Sequence, residues 1–175
     1  MNRIFKKVIS VFLAITCIIG TMAMSSTSVL ADQATGKVAT VPVYREYNPY
    51  TQEHIFTIGT KERTDLTNAG WTEEGIAWYA PNGGDIVYRL YNPYTTDHFY
   101  TMNLNELEQL RSQGWVVESG AFFSSTTHDI PVYRVYNPNV TVGSHFYTTN
   151  VTEYQNLVAS GWKAEGVAWY AANNN

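Results

Sequence analysis

One pattern is written three times along this chain, and it limits the available folds more than any other feature. Repeat one is "VYREYNPYTQEHIFTIGTKERTDLTNAGWTEEGIAWYAP" from Val43. Repeat two is "VYRLYNPYTTDHFYTMNLNELEQLRSQGWVVESGAFFS" from Val87. Repeat three is "VYRVYNPNVTVGSHFYTTNVTEYQNLVASGWKAEGVAWYA" from Val132. A unit of about 44 residues cannot bury its own apolar face, so the three must share one core.

Each repeat has the same local grammar. "VYRxYN" is rich in β-formers and reads as a strand, and the Asn-Pro that follows is a turn signal. "HFYT" makes a second short strand. A helix of about two turns comes next. Asn103 with Glu106, and Asn150 with Glu153, have N-cap and N3 spacing, while Gly59 and Glu62 hold those places in repeat one. Gly70, Gly114 and Gly161 sit where a helix needs a left-handed residue after its end. Leu66, Leu110 and Leu157 occupy one matching helical position and are expected to face the core. The Trp after each Gly begins a third strand, and "IAWYA", "AFFS" and "VAWYA" make a fourth. Four strands in each of three units predict a mainly β fold, a β-trefoil with pseudo-three-fold repeats and a short helix in each. A three-bladed propeller is the competing arrangement, although propellers usually have at least four blades. The expected boundaries are a signal segment 1–31, a short lead-in 32–41, and a single domain 42–175 with repeats at 42–81, 86–124 and 131–171.

The N-terminal segment reads as an export signal. Arg3, Lys6 and Lys7 precede the apolar run "VISVFLAITCIIG", and Val29 and Ala31 suit the −3 and −1 positions of a cleavage site after Ala31. The run is short for a membrane span, so no stable membrane insertion is expected. Cys17 is the only cysteine and lies in that run, so disulfides cannot staple the domain. Without the three leading cations the acids outnumber Lys and Arg almost two to one. Such a chain is repelled by nucleic acid and by anionic lipid.

The combined pattern "VYRLYNP…DHFYT…GWxxEGxAWYA" resembles the secreted-repeat family known as DUF5648, over roughly residues 43–171. The resemblance implies a β-trefoil-like module and a carbohydrate-binding or envelope-binding role. It supplies no catalytic residues.

Two sets of repeated residues are candidates for scaffold or site. Arg45, Arg89 and Arg134 recur at matched distances before Glu74, Glu118 and Glu165, which predicts three equivalent ion pairs, with sugar hydroxyl recognition as the alternative. By strand alternation the residue between Arg and the second Tyr varies as Glu46, Leu90 and Val135, so at least one repeat is expected to expose it. Each repeat offers one His, too few for a zinc centre, and no metal or cofactor is expected. Tyr and Trp suit the C–H face of a pyranose ring, with Asn and His as hydroxyl partners. Repeat three keeps the fullest set: Tyr136, Asn137, His145, Tyr147, Trp169 and Tyr170. Repeat two offers Tyr91, Asn92, His98 and Tyr100, and repeat one offers Tyr47, Asn48, His54, Trp78 and Tyr79.

The expected function is that of a secreted, monomeric, non-enzymatic lectin-like module for a cell-wall or other envelope glycan. A protein-interaction factor (inhibitor, adhesin or bacteriocin-like) is the alternative, its contacts carried by loops 81–86, 124–131 and 138–144. A cell-wall hydrolase is disfavoured. Glu73 and Glu74 form the one adjacent carboxylate pair of that motif, and repeats two and three have Val117 and Ala164 in place of Glu73.

Overall fold

The computed structural model describes residues 38–174, so the expected signal segment and its cleavage site lie outside the described residues. Repeat one forms β1 (Thr40–Tyr47), β2 (His54–Thr57), α1 (Thr60–Asn68) and β3 (Thr72–Pro81). Repeat two forms β4 (Asp85–Tyr91), β5 (His98–Thr101), α2 (Leu104–Ser112) and β6 (Val116–Ser124). Repeat three forms β7 (Ile130–Tyr136), β8 (His145–Thr148), α3 (Val151–Ala159) and β9 (Lys163–Ala171). Each repeat is one antiparallel three-stranded sheet, ordered β2-β1-β3, β5-β4-β6 and β8-β7-β9. The fold is mainly β and trefoil-like, with three similar sheets and a helix in each.

The strand count departs from expectation. The two strands foreseen after each helix are one continuous strand, because a β-bulge bends it without breaking it. In β3 the partners step from Arg45↔Gly75 to Glu46↔Glu73, which leaves Glu74 as the extra residue, and Gly75 takes φ +89°. β6 and β9 shift register at the same place.

The helices start as their sequences indicate. Asn103 accepts from the N–H groups of Asn105 and Glu106, and Asn150 from those of Thr152 and Glu153. The glutamate at the third helical position does something else with its carboxylate, as the inter-repeat contacts below show. Leu110 and Leu157 are half-buried and pack against the core clusters.

At the centre, Phe56, Tyr100 and Tyr147 form one aromatic layer and Trp78, Phe122 and Trp169 a second. The layers stack pairwise: Phe56 on Trp78 at 4.9 Å, Tyr100 on Phe122 at 6.0 Å, Tyr147 on Trp169 at 4.8 Å. Val43, Val87 and Val132 pack with them and are fully buried.

The residue between Arg and Tyr is not exposed in any repeat: Glu46, Leu90 and Val135 are all 0 % exposed. Strand alternation alone pointed outward, but the helix covers that face. In repeat one Arg63 bonds Glu46 Oε1 at 3.2 Å and lies 3.6 Å over the Tyr44 ring. In repeat two Leu107 packs on Leu90. In repeat three Tyr154 stacks on Tyr133 at 4.7 Å.

Three kinds of contact hold the repeats together, though not all at every joint. Tyr100 Oη accepts from the N–H of Phe56 and donates to its carbonyl, at 2.9 and 3.0 Å. Tyr147 Oη bonds the backbone of Tyr100 in the same way. Glu53 accepts from the N–H and Nδ1 of His98, while Asp97 accepts from Gly143 N and Ser144 Oγ. Finally, Arg89 forks onto Glu62, Arg134 forks onto Glu106, and Arg45 reaches Glu153 through one nitrogen.

Candidate functional site

The predicted site residues divide by position. Trp78, Trp169, Tyr100 and Tyr147 are at most 5 % exposed and belong to the central layers. This corrects the expectation that they meet a sugar: the shared core of three small units is filled by their rings, and the tyrosine hydroxyls are spent on neighbouring backbone. Phe122 fills the Trp place of repeat two without an indole nitrogen. That substitution is cheap, since the indole nitrogens of Trp78 and Trp169 are buried with no hydrogen-bond partner.

Asn48, Asn92 and Asn137 hold their turns. Each side-chain oxygen accepts from the backbone N–H two residues on, at 2.9, 2.9 and 3.0 Å. Tyr47, Tyr91 and Tyr136 face His54, His98 and His145 across the strand pair, with ring centroids 4.9 to 5.1 Å apart. His54 also meets Phe146 edge-on, and His145 meets Phe99. These half-buried pairs form inter-repeat packing. Tyr79 and Tyr170 are half-buried, and Tyr170 stacks on His128 at 4.3 Å.

The arginine–glutamate pairs form as the spacing predicted. Arg45, Arg89 and Arg134 place Nε 2.7, 2.5 and 2.7 Å from Glu74, Glu118 and Glu165. The bulge at each Glu turns its carboxylate to the face that carries Arg. Because the same Arg also holds the helix glutamate of the preceding repeat, two carboxylates share one cation. Thr101 and Thr148 donate to Glu106 and Glu153 at 2.6 Å. Both carboxylates at each joint are therefore already engaged by an arginine in a charge-assisted network.

Burial, followed by the adjacent arginine, lowers the pKa of His54 to about 4 and of His145 to about 3. Glu74 and Glu165 lie 3.3 and 3.5 Å from these rings, but each carboxylate is engaged by arginine Nε and does not hold the imidazole charged. Folding therefore favours the neutral rings. Their contribution is complete above the unfolded value near 6.5 and is lost as pH falls towards 4 and 3. We expect urea stability to drop by about 2 kcal/mol per histidine between pH 7 and pH 5. Histidine ring titrations by NMR should give midpoints below 5 for these two, and a normal midpoint would contradict the assignment.

A smaller hollow of about 350 Å³ opens on Arg134 and Glu165 themselves, and the wider open surface lies outside the predicted set. A groove of about 950 Å³ runs beside α2, with Tyr88, Leu107, Trp115 and Val117 on its floor and Glu108, Arg111 and Ser112 along its rim. The equivalent space is filled in the other repeats, by Arg63 over Tyr44 and by Tyr154 on Tyr133. Leu107 is directed to Leu90 instead, and so repeat two leaves Tyr88 and Trp115 beside an open trough. Among the described residues no group of three or more His, Cys, Asp or Glu is placed to hold a metal ion, and no helix is long and apolar enough to cross a membrane.

The sequence pattern of the family described as "Domain of unknown function (DUF5648)" matches residues 42–172. The chain belongs to that family. The DUF5648 match begins inside β1 and ends just past β9, so it takes in all three sheets and helices. No curated protein and no solved structure matches the chain.

A signal for the groove of this DUF5648 chain was present in the sequence. The three repeats pair Glu46 with Arg63, Leu90 with Leu107, and Val135 with Tyr154. Each pair changes together because the strand residue lies under the helix residue. The small Leu–Leu combination marks the repeat where the trough stays open.

Proposed function

We propose that the chain is a secreted, non-enzymatic glycan-binding module whose sugar site is the groove of repeat two. The observation that carries this reading is Trp115 beside Tyr88 in an open trough with a polar rim. A flat apolar floor receives the C–H face of a pyranose, and Glu108, Arg111 and Ser112 supply donors and acceptors for its hydroxyls. Secretion is supported by the cationic and apolar segments at the N-terminus. A binding role rather than hydrolysis is supported by the chemistry of the groove. Glycoside hydrolysis uses two carboxylates across the scissile bond, and Glu108 is the one carboxylate among the groove residues.

The test is co-sedimentation of the folded chain with insoluble chitin, cellulose and bacterial cell walls. We expect pelleting with at least one of these, reversed by soluble oligosaccharide of the same polymer. The double variant Leu90→Val, Leu107→Tyr imports the pair that repeat three already uses to fill its trough. It should fold as the parent does and lose pelleting by roughly tenfold or more, as removal of the aromatic floor implies. Pelleting unchanged in that variant, or no pelleting by the parent, overturns the reading and turns attention to protein partners.

A further inference from the structure

Two tyrosines at the turn tips lie outside the residues that line the groove. Tyr50 and Tyr94 are 87 % and 84 % exposed, more than any other large hydrophobic residue among the described residues. Neither hangs from a loose loop. Asn92 Oδ1 accepts from Tyr94 N at 2.9 Å and from Thr95 N at 3.3 Å, and the Asn92 carbonyl accepts from Thr96 N at 2.8 Å. The Tyr94 ring rests on the helix-ending glycine of its own repeat. Its Cε2 is 3.3 Å from the point a Cβ on Gly114 would occupy, and Gly114, at φ +94°, directly precedes Trp115. Tyr94 is thus an outward-facing ring on an ordered turn, against Gly114 and one residue away from the aromatic floor of the groove.

Repeats one and three lack the combination. Tyr50 stands in the same way near Gly70, at 3.9 Å, but beside a trough filled by Arg63. Repeat three has Asn139 and Val140 in its turn, and a Cβ at Gly161 would meet nothing within 4 Å.

Charge narrows the ligand. Among the described residues Arg45, Arg63, Arg89, Arg111, Arg134 and Lys61 are each paired with a carboxylate, and Lys163 lies over the Tyr136 ring. The groove's own cation, Arg111, is held by both oxygens of Glu108 at 2.8 and 3.0 Å. Among the described residues every arginine is thus committed to a carboxylate, and the whole chain is acidic, which disfavours an acidic polymer.

We infer that Tyr94 is a second aromatic contact of the groove and that the site takes an uncharged glycan of two or more rings. This rests on the groove being the glycan site. One pyranose covers one aromatic face, so two faces separated by Gly114 call for neighbouring sugars in a chain. A turn already ordered by its own hydrogen bonds loses little backbone freedom on binding, and tyrosine has only two side-chain torsions to restrict.

The test is calorimetric titration with oligosaccharides of one to six rings, cut from whichever neutral polymer sediments the chain, with polygalacturonate as the acidic probe. Because Tyr94 is exposed, Tyr94→Ala should leave the circular dichroism spectrum and melting temperature unchanged. We expect it to weaken binding of the longer oligosaccharides about tenfold, the worth of one aromatic contact, while leaving the single sugar unaffected. Tyr50→Ala should change neither. Parent-like affinity in Tyr94→Ala, with binding still abolished by Leu90→Val, Leu107→Tyr, would overturn this inference and leave the groove standing. Equal losses in Tyr50→Ala and Tyr94→Ala would overturn the placement in repeat two, and tighter binding to polygalacturonate would overturn the uncharged ligand. A chain that sediments with no glycan fails the underlying reading instead.

Discussion

Trp169→Ala is expected to lower the unfolding free energy by about 3–5 kcal/mol, the usual range for emptying an aromatic site in a core. Trp169 is 2 % exposed and touches Tyr147, Phe122 and Trp78, so its loss opens a void shared by all three repeats. For a domain of this size the melting temperature should fall by at least about 10 °C. Thermal unfolding followed by circular dichroism measures this directly. A fall of only one or two degrees would mean that the ring is not part of a tight core. The same reasoning shows why alanine at Trp169 or Tyr147 is a poor probe of ligand binding: any loss of binding would report unfolding. The informative positions are those whose side chains reach the surface around the trough.

The second large effect concerns the arginines. Removing Arg134 leaves Glu106 and Glu165 facing one another at a half-buried joint between repeats two and three. It also removes the guanidinium from over the Phe99 ring, 5.0 Å away. Because these carboxylates retain some solvent, we expect Arg134→Met to cost about 2–3 kcal/mol, below the value for a fully buried pair. Arg134→Lys should recover little, since an ammonium cannot fork onto Glu106 while also holding Glu165. Urea denaturation of Arg134→Met, Glu106→Gln and the double variant would measure the coupling. Additive effects would show that the joint is held by packing alone.

The triplication, the helix positions and the Arg–Glu pairs were legible in the sequence, because each rests on spacing. Arg45 and Glu74 recur as Arg89 and Glu118 and as Arg134 and Glu165, and a contact made three times leaves the same interval three times. The site was less legible. Trp78, Trp169, Tyr100 and Tyr147 are chemically suited to a sugar, and composition cannot tell a ring that faces a ligand from one that faces two other rings. What decides is the three-fold axis, which brings equivalent residues together from positions far apart in the chain. The outward face of the first strand was misread for a related reason. Glu46 follows strand alternation correctly, but the helix that buries it is contributed by residues 60–68, and alternation within β1 carries no record of that cover. Tyr50 and Tyr94 are not among the candidate site residues read from the sequence; they recur in only two of the three repeats, with Asn139 and Val140 in that turn of repeat three.

The locks between repeats are not equal, and their inequality gives the molecule a seam. Tyrosine hydroxyls bridge repeat one to two and two to three, but the matching residue at the third joint is Phe56, which has no hydroxyl. The carboxylates Glu53 and Asp97 serve the first two joints, and Ser144 stands in their place at the third. There Arg45 grips Glu153 through a single nitrogen where its counterparts use two. That joint is also the one the chain does not cross, since repeats one and three are linked covalently only through repeat two, with Ala172 N donating to the Tyr79 carbonyl across it at 2.8 Å. The closed triangle therefore behaves as an open bracelet with its clasp at β2 and β8: slow breathing enters there, and amides along that edge should exchange before those at the two riveted joints.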